Sequence, residues 1–150
     1  IIFALLFITA VIAGTFYKLS TPSEGRLVFV KRLEVVDLLN KLTPMKMDYA
    51  VKLLTEDLDA GASTTGFEDF DLAKYGLKPV EYVQMGERDN YQRSIVLTPN
   101  EIIVTFGVGF DGPEIKTLIL AATQNTENVF DWSCTGGSLS STYRPQSCKN

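Results

Sequence analysis

Three textures follow one another along the chain. Residues 1–17, IIFALLFITAVIAGTFY, carry no charge, and the first charged residue, Lys18, comes after them. The stretch Ser20-Thr21-Pro22-Ser23-Glu24-Gly25 then interrupts the pattern. Pro22 removes a backbone donor and clashes with the preceding turn, and Gly25 adds backbone freedom, so a bend or loop is predicted there. From Arg26 to Leu42 the period is helical. Val28, Val35, Leu39 and Leu42 form a stripe that Val36 and Leu38 widen, while Lys31, Arg32, Glu34, Asp37 and Lys41 take the remaining surface. Thr43-Pro44 fits either of two readings: a helix restart, with Thr43 as N-cap and Pro44 at the first helical position, or a kink in one long helix. The helical pattern runs on from Met45 to Leu58 with Met47, Ala50, Val51, Leu54 and Leu58, and Gly61 is the expected C-cap.

Residues 59–78 are polar and punctuated by glycine, which predicts an irregular loop with a turn of helix at Phe70–Tyr75. Beyond residue 79 the texture becomes that of strands. Val80–Met85, Arg93–Leu97, Glu101–Val108, Lys116–Ala122 and Asn128–Cys134 are short runs rich in β-branched and aromatic residues, separated by Thr98-Pro99-Asn100 and Gly109–Pro113. Leu97 and Glu101 flank a tight connection, so a hairpin is expected between the second and third runs. The arrangement predicts an antiparallel sheet.

Charge and composition sharpen the picture. A helix over the uncharged run would be about 25 Å long against a bilayer core of about 30 Å, and Leu19 and a snorkelling Lys18 extend it to one adequate span. Phe16 and Tyr17 fall at the interfacial level; the alternative is a buried core helix. No basic residue precedes the run, unlike a secretory signal, so the chain is expected to be a mature product whose leader was cut on the N-terminal side of the segment. The 150 residues carry a net charge of −4 and no His. That balance argues against a polyanion bound by overall charge, and it removes the usual general base and commonest metal ligand. Cys134 and Cys148 read either as one disulfide in an oxidising compartment or as two reduced thiols. A closed loop of this length would stabilise the fold by roughly 3 kcal/mol.

Candidate chemistry is sparse. Gly107-Val108-Gly109-Phe110-Asp111-Gly112 matches the G-x-G-x-x-G pattern of dinucleotide sites, but no βαβ unit surrounds it, and a glycine-rich hairpin turn accounts for it better. Ser94, Ser133 and Cys134 have no His to activate them. The carboxylates Glu56, Asp57, Asp59, Glu68, Asp69 and Asp71 lack the spacing of a calcium loop and read as solvated charge. Trp132 is expected to pack across the sheet. No catalytic group, cofactor or metal site is predicted, and no small-molecule substrate.

In this order the features resemble the type IV pilins, bacterial filament subunits. Gly14 and Pro22 fall where that family places a helix Gly and a helix Pro. Ile102-Ile-Val-Thr-Phe106 and Lys116-Thr-Leu-Ile-Leu120 are similar to the family's second and third strands. Trp132-Ser-Cys134 with Tyr143-Arg-Pro-Gln-Ser-Cys148 is similar to the W-x-C and Y-x-P-x-x-C ending of type IVa members. The resemblance implies an α+β fold: a long N-terminal helix packed on a four-stranded antiparallel sheet, with Cys134–Cys148 closing a C-terminal loop of structural or adhesive use. It divides the chain into an apolar helix, residues 1–25, and a globular domain, residues 26–150. It implies an inner-membrane precursor, held by residues 1–19, that polymerises with copies of itself into an extracellular pilus. The apolar helix would form the fibre core, with pilus assembly machinery as partner and a host surface or DNA as candidate contacts. Motility, adhesion and DNA uptake are the functions such a fibre implies. The alternative is a minor pilin or a type II secretion pseudopilin. Leu5 stands where the family carries a Glu that meets a neighbour's N-terminal amine. That departure fits an atypical subunit, a chain lacking some N-terminal residues, or a pairing replaced by another contact. Leu5, Gly14 and Pro22 are therefore the candidate assembly positions.

Overall fold

The structure is a computed structural model that describes residues 24–55, 70–85, 89–127 and 129–149. One long helix, α1 (Glu24–Thr55), is followed by a 3₁₀ turn, η1 (Leu72–Tyr75). Five strands come next: β1 (Val80–Met85), β2 (Asp89–Thr98), β3 (Glu101–Phe106), β4 (Lys116–Gln124) and β5 (Phe130–Gly136). A second 3₁₀ turn, η2 (Gln146–Cys148), ends the chain's described elements. The strands form one antiparallel meander in the order β1-β2-β3-β4-β5.

Five strands replace the expected four. All five strand-like runs read from the sequence do form strands, and the miscount came from the family pattern. Val80–Met85 pairs along its whole length with Ser94–Asp89, so the sheet gains an edge strand before the hairpin. The segments likened to the family's second and third strands are consequently β3 and β4. The β2–β3 hairpin is as expected: Thr98 pairs with Glu101 across Pro99-Asn100, and the Thr98 hydroxyl donates to the Glu101 carbonyl at 3.2 Å.

Of the two readings at Thr43-Pro44, the single helix holds: α1 runs through Pro44 without interruption. The helix also includes Gly25, which the sequence had placed in a loop. Thr43 donates its hydroxyl to the Leu39 carbonyl at 2.9 Å, which diverts its side chain from capping a new helix. Pro22 lies outside the described residues, as do Leu58, Gly61 and the carboxylates Glu56, Asp57, Asp59, Glu68 and Asp69. Asp71, the described member of that acidic group, caps η1 by accepting from the backbone N–H groups of Ala73 and Lys74. Gly76 ends the turn at φ 67°, a left-handed conformation that glycine adopts without penalty.

The core lies between α1 and one sheet face. The helix contributes Val35, Leu38, Leu42, Met45 and Tyr49, all buried, at steps of three and four residues. The sheet contributes alternate residues, as a pleat requires. Leu97, Ile102 and Leu120 form one cross-strand row, and Ile95, Val104 and Leu118 form the next. The expected helical stripe was correct over Val35, Leu38 and Leu42 but drifted afterwards. Met47, Val51 and Leu54 are exposed, and Met45 and Tyr49 take the buried positions instead.

An aromatic cluster closes one end of the core. Phe110 stacks on Phe106 at 4.5 Å and tilts against Tyr91 at 4.8 Å. Phe110 belongs to the β3–β4 connection, the stretch that matches G-x-G-x-x-G. Strand β4 follows it in place of a helix, so the dinucleotide arrangement is not formed. Gly109 and Gly112 instead supply positive φ angles of 98° and 87°, which fold the connection back and drop Phe110 into the core. Phe110→Ala is expected to lower unfolding free energy by about 3–5 kcal/mol. A loop side chain without this packing would cost no more than about 0.5 kcal/mol. The urea unfolding midpoint of the full chain, measured against wild type, separates the two.

Candidate functional site

Sequence reasoning singled out the two cysteines and three N-terminal positions. Leu5, Gly14 and Pro22 lie outside the described residues. Cys134 and Cys148 form a disulfide, with Cα atoms 4.8 Å apart, joining β5 to η2. Cys134 is thereby removed as a nucleophile. Ser94 sits on β2, and Ser133 is exposed on β5.

The disulfide loop is bolted to the core by a residue that the sequence reading did not single out. Arg144 is buried, and its guanidinium donates to the carbonyls of Leu139 at 2.8 Å, Cys134 at 3.1 Å and Gly137 at 2.9 Å. Burial lowers its pKa, because the charge is compensated by carbonyl dipoles alone. Arg32 on α1 reaches the same loop and donates twice to the Thr142 carbonyl, at 3.0 Å and 2.6 Å. The Leu139 N–H meets the Thr117 carbonyl at 2.8 Å, and the Ser140 N–H meets Asp111 at 3.0 Å. Gly137 is required where the loop leaves β5. Its φ is 89°, and a Cβ there would lie 2.3 Å from the Thr117 carbonyl oxygen.

Two more buried cations tie α1 to the sheet. Lys31 donates to the Gly109 carbonyl at 3.2 Å, with its ammonium 5.8 Å from the Phe110 ring and 5.7 Å from the Tyr143 ring. Arg93 on β2 bridges Glu34 of α1 and Glu81 of β1. Burial alone would lower the pKa of Arg93, but the two carboxylates outweigh it and raise the value. The Tyr91 hydroxyl donates to Glu34 at 3.2 Å, and burial, reinforced by that carboxylate, pushes its pKa up. These contacts fix how the helix lies on the sheet. Among the described residues, no cluster of His, Cys, Asp or Glu is arranged to hold a metal ion. Trp132 packs under the helix against Tyr49, at 5.8 Å, where packing across the sheet was expected.

The outward side of α1 is the second notable surface. Phe29, Leu33, Met47, Val51 and Leu54 are 59%, 50%, 71%, 59% and 49% exposed. At 3.6 residues per turn they fall within about 60° of one another, on the side opposite Val35, Leu42 and Tyr49. A surface helix needs one apolar stripe, and this one has two. Completing the burial of these five side chains is worth on the order of 5 kcal/mol. Sequence reading named three of them but assigned them to the sheet.

The family model for Pilin, a bacterial filament protein, matches residues 32–149, most of the chain. No curated protein and no solved structure matches the chain. The matched span holds the whole sheet, the disulfide loop and most of α1.

Loss of the loop's fastenings has a measurable outcome. Arg144→Met strands the three carbonyls and is expected to destabilise by about 3 kcal/mol or more. Cys134→Ser is expected to cost about 3 kcal/mol by releasing the loop. Because both act on one loop, the double variant should lose less than the sum. Thermal unfolding of the full chain, with and without reductant, reads all three.

Proposed function

The chain belongs to the pilin family of bacterial filament proteins, and on that premise we propose that it is a structural subunit of an extracellular type IV pilus. The family is one of structural filament proteins, which supports a filament subunit as the reading. The observation that supports a mechanism is the outer stripe of α1. Five large apolar side chains stand exposed in line on a helix whose other face is already covered. Exposed apolar residues gathered on one helix face, Phe29 and Leu33 toward one end and Met47, Val51 and Leu54 toward the other, are the kind of surface that serves for interaction. In the proposed fibre the stripe is covered by neighbouring copies, with each α1 packed toward the fibre axis and the sheet facing outward.

The anchoring stage rests on the uncharged run 1–17. Among the described residues no helix is long and apolar enough to cross a membrane. Residues 1–19 are proposed to hold the subunit in the inner membrane and then to continue the fibre core, with residues 1–25 acting as one unit and 26–150 as the globular domain. In lipid the apolar run is already at home, so its extraction requires an energy-supplying assembly machine. Gly14 and Pro22 would let the core helix pack closely and open locally. Adhesion, motility and DNA uptake are the roles this fibre would serve, through a host surface or DNA as contacts. Leu5 favours a second reading. Without the acidic partner for a neighbour's amine, the subunit would serve as a minor pilin or type II secretion pseudopilin, present in few copies.

Electron microscopy of cells and sheared material discriminates the readings: long fibres made mainly of this chain, or short tips. The doubly substituted chain Leu33→Glu with Val51→Glu tests the stripe. It is expected to keep the native disulfide and circular dichroism while its fibre yield falls by at least about tenfold, since buried unpaired charge costs several kcal/mol. Fibres at wild-type yield would refute the proposed packing.

A further inference from the structure

The two edges of the sheet differ. At β5 the Cys134 carbonyl accepts from the Arg144 guanidinium at 3.1 Å, and the disulfide ties the same residue to η2. The disulfide loop thereby occupies that edge. Among the described residues, β1 has a strand on one side only. The Ile95 N–H donates to the Pro79 carbonyl at 2.8 Å, and Val80 stands opposite Ser94. Bonded and non-bonded pairs alternate along an antiparallel ladder, so Glu81–Arg93 and Val83–Tyr91 are the bonded pairs. The Gln92 carbonyl agrees with this: it accepts from the Gly107 N–H at 2.7 Å, on the side away from Tyr82. The main-chain N–H and C=O groups of Val80, Tyr82 and Gln84 therefore point away from β2, along a free edge.

The side chains at these three positions are open as well. Tyr82 is 78% exposed, and Val80 and Gln84 are exposed beside it. Edge strands are commonly blunted by a lysine, a proline or a bulge. β1 carries none of these between Val80 and Met85, and it pairs with β2 without a register shift. Its one charge, Glu81, is neutralised by Arg93.

We propose that β1 is a pairing edge for a second copy of this chain, the two β1 strands running antiparallel about a two-fold axis at Tyr82. In that register Tyr82 meets the second copy's Tyr82, and Val80 meets its Gln84. Each free N–H then finds a free C=O, because the three open positions are symmetric about the centre. Glu81 faces the second copy's Val83, so no like charges stand directly opposite. A head-to-tail ribbon of β1 on a neighbour's β5 is blocked by the disulfide loop, which leaves the closed two-fold pair. A six-residue edge buries well under the roughly 1,200 Å² of a stable interface, so a single pair is weak. Repeated along a fibre, such pairs add through avidity. That consequence rests on the filament reading, whereas the pairing itself does not. The axis reverses every direction in the sheet plane, so paired subunits, and fibres joined through them, run in opposite directions.

Single added cysteines test the register. The full chain, concentrated in a neutral detergent with its native disulfide intact, is treated with a mild oxidant and run without reductant. Opposed residues of a bonded pair have Cα atoms about 5.5 Å apart, within disulfide reach. Tyr82→Cys should give a covalent dimer on its own. Val80→Cys and Gln84→Cys should each give at least about tenfold less alone, because identical residues then lie about 13 Å apart along the strands. Mixed together, those two variants should crosslink to each other. Tyr82→Pro removes an N–H that β2 does not use, and an edge strand accommodates proline at such a position. Added to both members of the mixed pair, it should cut their crosslink at least about tenfold while the native circular dichroism persists. Absence of a dimer with Tyr82→Cys overturns the proposal. So does a dimer formed as readily by Val80→Cys alone, or a mixed crosslink that survives Tyr82→Pro. Fibre formation is read separately by electron microscopy, so failure of the pairing and failure of the filament reading are distinguishable.

Discussion

A helix apolar on two opposite sides cannot be satisfied by a single sheet. Val35, Leu38, Leu42, Met45 and Tyr49 are covered within the chain, while Phe29, Leu33, Met47, Val51 and Leu54 are not. The folded subunit therefore leaves burial on the order of 5 kcal/mol unrealised along one helix face. In the fibre proposed above, copies of the same helix supply that cover, and a surface that would be a liability in a monomer becomes the packing face. The rest of the fold serves to keep α1 fixed, since a stripe that rotates on the sheet would present a different face. Glu34–Arg93–Glu81 at one place and Lys31 between Phe110 and Tyr143 at another act against such rotation.

The buried cations show how an acidic chain uses positive charge. Arg93 is neutralised by carboxylates from two elements, and Arg144 by three carbonyl dipoles of its own loop. Lys31 is held by one carbonyl and two ring faces. Each is expensive to bury alone, and each is compensated in a geometry suited to its head group: forked for Arg, a point for Lys. Arg144 in particular turns a loop closed by one disulfide into a rigid lobe. Lys46 is the exception to this economy. Among the described residues its half-buried ammonium meets the Trp132 ring and no carboxylate, and burial lowers its pKa.

Most of the architecture was readable from local patterns, and the failures have physical causes. The strand runs were visible because alternation and turn residues are local signals, and Thr98-Pro99-Asn100 located the hairpin. The stripe along α1 went astray after Leu42 because Met45 and Tyr49 alternate with Met47, Val51 and Leu54 at equally good helical spacing. Periodicity finds that a helix has apolar faces but not which one the sheet takes. Thr43-Pro44 left two readings open for a related reason: local sequence does not tell whether an internal proline ends a helix or is accommodated within it. Lys31, Arg93 and Arg144 were invisible as core residues, because nothing local marks a charge whose partners lie in other elements. Arg144 stood inside the quoted Tyr143–Cys148 motif without its role being evident. The disulfide was legible from cysteine count and family likeness, but its fastening was not.

Pro44 is the irregular residue of the helix's outer face. It lies on the outer side of α1, among Met47, Val51 and Asn40, so it belongs to the stripe proposed to pack in the fibre. Its missing N–H leaves the Asn40 carbonyl without its helical donor. An alanine there would restore the helical bond, improve the helix and close the acceptor. The native residue sacrifices that stability on the face proposed to pack in the fibre. Residues that weaken an element with no packing gain are found where function needs the disturbed backbone. On this argument the stretch of the outer face around Pro44 is the part of the helix under functional constraint.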